Sequence, residues 1–304
     1  WAYYDAHKRQ WSGPCSDRID DICRSADLVL NLCGINPLRP WFMKIPHRVL
    51  VDEDPAFTQI RHLVDRGSRE AAARHTAFFS FGENINSDTS SIPDDHIHWL
   101  PTRQPVVIDL WPVSPAPVKG KFTTVMQWDS YSVEEYNGIE YGMKSASFGP
   151  FFELPRQSDQ ALELALGSEA APRTKLLDSG WLLRNPLEVT RTPWSYQHYI
   201  QQSKAEFSVA KNGYVITHSG WFSERSTCYL ASGRPVLVQE TGFSEWLETG
   251  SGIIPFSSAS EALSGIDEIN RNYEYHCQAA REMAHVYFDA CIVLPSLVQK
   301  VYEL

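Results

Sequence analysis

The chain has 304 residues with 43% hydrophobic and 21% charged content, an ordinary balance for a compact globular protein long enough for two domains. Its longest apolar runs, at residues 106–111 and 214–217, fall far below the roughly 20 residues a membrane span requires, so no span is expected. A net charge of −10 lacks the basic face that displaces counterions from phosphate, so nucleic acid is not expected as a partner, while a local anion site stays open.

Short β-branched runs alternate with helical stretches at residues 27–32, 48–52, 76–81 and 105–110. That alternation predicts α/β architecture with a parallel sheet. Three prolines, Pro112, Pro115 and Pro117, then give a stiff extended segment, read as an interdomain linker over 113–120. The pattern restarts with strands expected at 122–127, 175–177, 214–217, 235–239 and 252–256, and with helices expected at 221–232, 243–248, 258–271 and 272–290. The domains are therefore 1–112 and 121–290, both Rossmann-like, and 291–304, a terminal helix expected to pack back on the first domain. The sequence begins at Trp1 without an initiator methionine. The roughly four strand–helix units before the linker are fewer than a full nucleotide-binding domain holds, so a first strand and glycine loop are expected upstream.

Six cysteines, Cys15, Cys23, Cys33, Cys228, Cys277 and Cys291, are scattered without CxxC pairs. Reduced thiols of a cytoplasmic protein are expected, with no zinc site or disulfide framework. His96 and His98 are read as part of a polar loop, and no metal or other cofactor is expected.

The stretch from Tyr214 to Gly242 carries the chemistry. It reads strand, small polar turn, helix, glycine cap, strand and second glycine turn. A helix that follows a strand directly presents unpaired N–H groups and a positive dipole end, which bind anions. Ser219, Gly220 and Ser223 would let a diphosphate approach, and Arg225 would add a charge-assisted contact.

Gly233-Arg-Pro-Val-Leu-Val-Gln-Glu-Thr-Gly, followed by Glu245 and Gly250-Ser-Gly-Ile-Ile-Pro-Phe, resembles the donor-binding half of GT-B glycosyltransferases, notably the glycogen-synthase-like members. His218-Ser-Gly-Trp resembles the H-x-G-W turn of plant natural-product glycosyltransferases, and Tyr141-Gly-Met-Lys144 resembles the K-G turn that supplies a phosphate-binding lysine. The wider pattern, including Gly220-Trp-Phe-Ser-Glu-Arg-Ser, is similar to a group of bacterial proteins known only as glycosyltransferases. The resemblance implies two Rossmann-like domains facing a cleft, and a nucleotide-diphosphate sugar as co-substrate. It implies donor contacts from Lys144, His218, Ser219, Gly220, Ser223, Glu224, Arg225, Thr241 and Gly242. It also implies transfer of a sugar to a small-molecule or glycan acceptor. The alternatives are a non-catalytic nucleotide-sugar-binding module and a GT-B-type nucleotide-sugar epimerase. One departure bears on mechanism: glycogen-synthase-like enzymes carry a ribose-holding glutamate where this chain has Cys228.

Strand ends of the first domain offer acids that could orient or deprotonate an acceptor hydroxyl. Asp54, Glu83 and Asp52 are the candidates, with a helix-capping role for Asp54 as the plain alternative. Trp128 and Trp181, near predicted strand ends, are candidates for stacking on a base or sugar.

Overall fold

The computed structural model describes every residue except Ala116, Val118 and Lys119, so the predicted linker lies partly outside the described residues. After a small hairpin of β1 (Tyr3–Asp5) and β2 (Gln10–Ser12), four strands form a parallel sheet in sequential order. They are β3 (Leu28–Leu32), β4 (His47–Asp52), β5 (Ala77–Ser80) and β6 (Leu100–Pro101). The predicted strand at 105–110 is instead a single bridge from Val106 to Asp289 and a 3-10 turn at Ile108–Leu110. Pro105 has no N–H to give to a ladder.

The second sheet has six parallel strands: β7 (Phe122–Gln127), β10 (Leu162–Gly167), β11 (Leu182–Arg184), β12 (Ala205–Ser208), β13 (Val236–Gln239) and β14 (Ile253–Phe256). Between β7 and β10 lies a second hairpin of β8 (Glu134–Tyr136) and β9 (Ile139–Tyr141). The spatial order β11-β10-β7-β12-β13-β14 places the first strand of this half in the middle. Winding reverses between β7 and β12, and that reversal opens a crevice at the carboxyl ends of the strands. Every residue of β10, β12 and β13 is buried, as helices on both faces of a parallel sheet require.

Two predicted strands are helical. Residues 175–177 lie in the helix Arg173–Asp178, and residues 214–216 lie in the helix Asn212–Ile216. The strand leading to the glycine-cap helix is β12, just upstream, where Ala205, Phe207 and Val209 enter the core. Trp128 and Trp181 also belong to that core, against Phe148. Trp181 Nε1 donates to the Phe152 carbonyl at 2.8 Å. Neither ring is free to stack on a ligand.

The terminal helix Ala290–Glu303 begins at Asp289, whose carboxylate accepts from the Cys291 amide, and it runs through Pro295. Its Leu297 and Val301 pack against Val49, Val51 and Phe79 of the first sheet. Burial of these side chains ties the end of the chain to its first half by the hydrophobic effect.

Arg234 fastens the segment between the sheets. The residue is 1% exposed, and its guanidinium donates to the carbonyls of Ser114, Pro115 and Gln201 at 3.1, 3.2 and 2.8 Å. Arg234→Met leaves those carbonyls unpaired, and we expect it to lower stability by about 3 kcal/mol. Urea unfolding would show a lower midpoint at unchanged slope; an unchanged midpoint would contradict the role.

Candidate active site

The carboxyl ends of the two sheets meet along a polar seam. Asn84, in the loop after β5, donates through Nδ2 to the carbonyls of His218 at 3.2 Å and Gly242 at 2.9 Å. Its own amide donates to the Ser219 carbonyl at 3.2 Å. The chains approach so closely that a Cβ on Gly220 or Gly242 would lie 2.7 Å from the Asn84 side chain, and both glycines hold positive φ. Only glycine meets both demands.

The seam engages most of the turn predicted to bind phosphate. The Ser219 amide donates to the Tyr214 carbonyl at 3.2 Å, and that of Gly220 to the Thr241 carbonyl at 2.8 Å. The amides of Thr241 and Gly242 donate to Glu240 Oε1 at 3.0 and 2.7 Å. None of these four amides is therefore free to meet an anion, and the carbonyls of Ser219 and Gly242 are held across the seam by Asn84. His218 is exposed, with φ at 48°.

The helix expected from Trp221 starts at Glu224. Ser223 caps it, accepting from the Arg225 amide at 3.2 Å, while Trp221 bridges to Gly82 across the seam. Arg225 turns inward. Its guanidinium pairs with Glu206, donates to Ser208 Oγ at 2.6 Å and to the Val125 carbonyl at 2.9 Å, and so spans the strands β7 and β12 that flank the crevice. Glu224 stays exposed at the helix tip. Val125, residues 190–193, Tyr196, Glu224 and Arg225 line an open groove of about 530 Å³.

Lys144, the first residue of the helix Lys144–Ser147, is half-buried beside this cluster, and its side-chain amine has no hydrogen bond or ion pair among the described residues. Burial lowers its pKa to about 7, and the positive charges of Arg225 and Lys211 push the same way, against Glu224. A partly desolvated amine with cations as well as carboxylates around it, and no direct ion pair, is poorly compensated. The arrangement can receive a dianion at the tip of the helix Glu224–Ala231, whose first-turn amides have no intrahelical acceptor.

None of the three predicted acids stands free in the groove. Asp52, 1% exposed, accepts from the Asp54 amide, Thr58, Gln59 and Ser80 at 2.6–3.2 Å. It closes the loop after β4, and burial raises its pKa. Asp54 is a latch between lobes rather than a helix cap. Lys211 donates to it at 2.7 Å, Tyr131 and Tyr214 donate through their hydroxyls, and Arg61 pairs with it at 3.3 Å. Glu83 pairs with Arg103, whose guanidinium lies 4.8 Å from the Trp246 ring centroid. It lines a cavity of about 210 Å³ with Tyr287 and Lys300. A further cavity of about 210 Å³ lies at the carboxyl ends of β3 and β4, between Cys33, Arg61, His62 and His75.

Lys144, Glu224 and Arg225 are thus brought together; His218, Ser219, Gly220, Thr241 and Gly242 lie along the seam. Residues that the sequence reading missed are Asn84, Tyr131, Arg191, Tyr196 and Lys211. Lys211 carried a signal, since it follows β12 almost directly, where strand ends place working residues.

No family model and no curated protein matches the chain. Solved structures do. An α-glucosyltransferase in complex with UDP-glucose and DNA aligns at TM-score 0.61 and 10% identity, over 95% of this chain and 84% of that one. HepE of Anabaena in complex with UDP aligns at 0.57 and 12%, over 95% and 82%. Sucrose-phosphate synthase of Thermosynechococcus elongatus aligns at 0.58 and 10%, over 91% and 73%. The fold is GT-B. These neighbours also correct the expectation that nucleic acid is excluded. A GT-B chain is solved on DNA, so the net charge of −10 does not rule that partner class out; local charge decides such contacts.

The unpaired Lys144 makes a stability prediction. Its pKa is lower in the folded chain than in the unfolded one, so the folded state carries the full cost of the buried charge below pH 7, and that cost fades as pH rises toward the unfolded value. Lys144→Met should raise the melting temperature of the ligand-free protein by roughly 2–4 °C at pH 6, and by less at pH 9. A lower melting temperature at pH 6 would contradict the site's electrostatics.

Proposed function

We propose that this chain is a glycosyltransferase that moves a sugar from a nucleotide-diphosphate sugar to an acceptor held on the first lobe. The observation that carries the proposal is the Lys144 amine, unpaired among the described residues, beside Glu224 and Arg225 at the start of the helix Glu224–Ala231, at the switch point of a GT-B donor-side sheet. UDP or UDP-glucose in the neighbouring structures supports a uridine donor.

In this reading the diphosphate lies between Lys144 and the tip of the helix Glu224–Ala231. Charge developing on the leaving diphosphate is stabilised by groups already fixed in place, which is where such sites gain most of their rate. Arg225 positions the tip from below, through Glu206 and Val125. The nucleoside occupies the groove along Tyr196 and residues 190–193. Glu224 precedes Cys228 by one helical turn on the same face and takes the ribose hydroxyls that a glutamate at the Cys228 position holds in glycogen-synthase-like enzymes. The acceptor enters the first-lobe cavity beside Arg61 and His62. Asp54, joined to both lobes, holds them closed over the reacting groups.

One observation favours a second reading, a nucleotide-sugar-binding module without transfer: Asp52, Asp54 and Glu83 all have their carboxylates engaged. Turnover separates the two. Nucleoside diphosphate release from a donor panel, cut at least 100-fold by Lys144→Met, supports transfer; binding without release supports the module.

Affinity should also depend on pH. A nucleotide sugar keeps both phosphate charges between pH 6 and 8.5, so the change reports the protein. Binding favours the protonated amine, whose free pKa is about 7, and dissociation constants should rise about tenfold or more from pH 6 to 8.5. Calorimetry on Lys144→Met should show a flat profile. An equally flat wild-type profile would count against Lys144 as the diphosphate ligand.

A further inference from the structure

On the outer edge of the first lobe, a cavity of about 380 Å³ opens between the β1–β2 hairpin and the segment after β3. Three rings form one wall. Tyr4, Trp11 and Trp41 have centroids 5.0–5.4 Å apart, and the Arg39 guanidinium lies 4.6 Å from the Tyr4 centroid. The volume falls in the range of small-ligand sites.

Two polar groups at this cavity have no partner. Asn31, 5% exposed, donates through Nδ2 to the Asn36 carbonyl at 2.9 Å and reaches His75 Nε2 at 3.0 Å, which fixes the orientation of its amide. Its Oδ1 is buried and unbonded, as is the Trp41 indole N–H. The cavity wall therefore buries one unmet acceptor and one unmet donor beside apolar ring faces. A hydrocarbon ligand would leave both unmet, at a cost in free energy. A hydroxyl serves as donor and acceptor alike, and a pyranose carries several around a C–H face that packs on aromatic rings. A nucleobase would stack as well, but its strand needs a track of cations, and Arg39 is the single charged side chain lining the cavity.

We propose that this aromatic cavity is a carbohydrate-binding subsite that holds a pyranose of a glycan acceptor away from the transfer site. Asn31 also lines the first-lobe cavity beside Arg61 and His62, and the two share Asn36, Pro37 and Leu38, so an extended glycan reaches from one to the other. The role as acceptor subsite rests on the transfer reading above; the carbohydrate contact does not.

The test is a glycan array probed with the labelled full chain, with binding constants then measured on the strongest pyranose glycan. Trp11→Ala and Tyr4→Leu should weaken that binding at least tenfold, while the melting-temperature rise with UDP, which reports the donor site and intact folding, stays unchanged. No glycan bound across the array, binding unaltered in both variants, or a single-stranded oligonucleotide bound in place of glycans and lost in the variants would each overturn the subsite. Glycan binding without any UDP effect in the wild type would sink the transfer reading and keep the carbohydrate site.

Discussion

The structure turns on the contact in which one asparagine of the first lobe enters the glycine turns of the second. Asn84 holds the carbonyls of His218 and Gly242, and its amide takes that of Ser219. A buried amide with these partners tolerates little displacement, because any unmade bond leaves a desolvated polar group. Two glycines with positive φ make the approach possible. The turn that sequence reasoning assigns to phosphate is thereby committed to joining the lobes, and the anion site we propose lies on the next turn of chain, where the helix Glu224–Ala231 begins.

That transfer of duty explains the charge pattern around the crevice. Arg225 is neutralised from below by Glu206, and Lys211 is neutralised from across the seam by Asp54. Lys144 has neither kind of partner. An uncompensated amine costs folding stability, and such costs gather where a ligand supplies the missing charge. The same logic holds at the far edge of the first lobe, where Asn31 and Trp41 each leave a buried hydrogen-bonding atom unmet in the wall of a cavity lined by aromatic rings and Arg39.

Much of the fold was legible. The apolar runs at 27–32, 48–52, 122–127 and 235–239 are strands because they are β-branched and bounded by turn residues. Tyr214-Val-Ile-Thr misled for the same reason: its β-branched residues suit a strand, yet Tyr214 is held by its hydroxyl to Asp54 and by its ring beside Trp221, and tertiary contacts override so short a preference. Lys144, Glu224 and Arg225, grouped by the order of motifs, do lie near one another in the fold. The acids were not readable as they stand, because Asp52 and Asp54 differ only in partners contributed from elsewhere in the chain, Ser80 for one and Lys211 with two tyrosines for the other. Strand-end position identifies which residues can work, and long-range pairing decides which are occupied.

The most direct measurement is a crystal structure of the full chain with UDP-glucose. The diphosphate is expected within about 3 Å of Lys144 Nζ and of the first-turn amides at Glu224, with the nucleoside along Tyr196. A nucleotide bound against the His218 turn, or a groove left empty at saturating ligand, would contradict the assignment of the donor site.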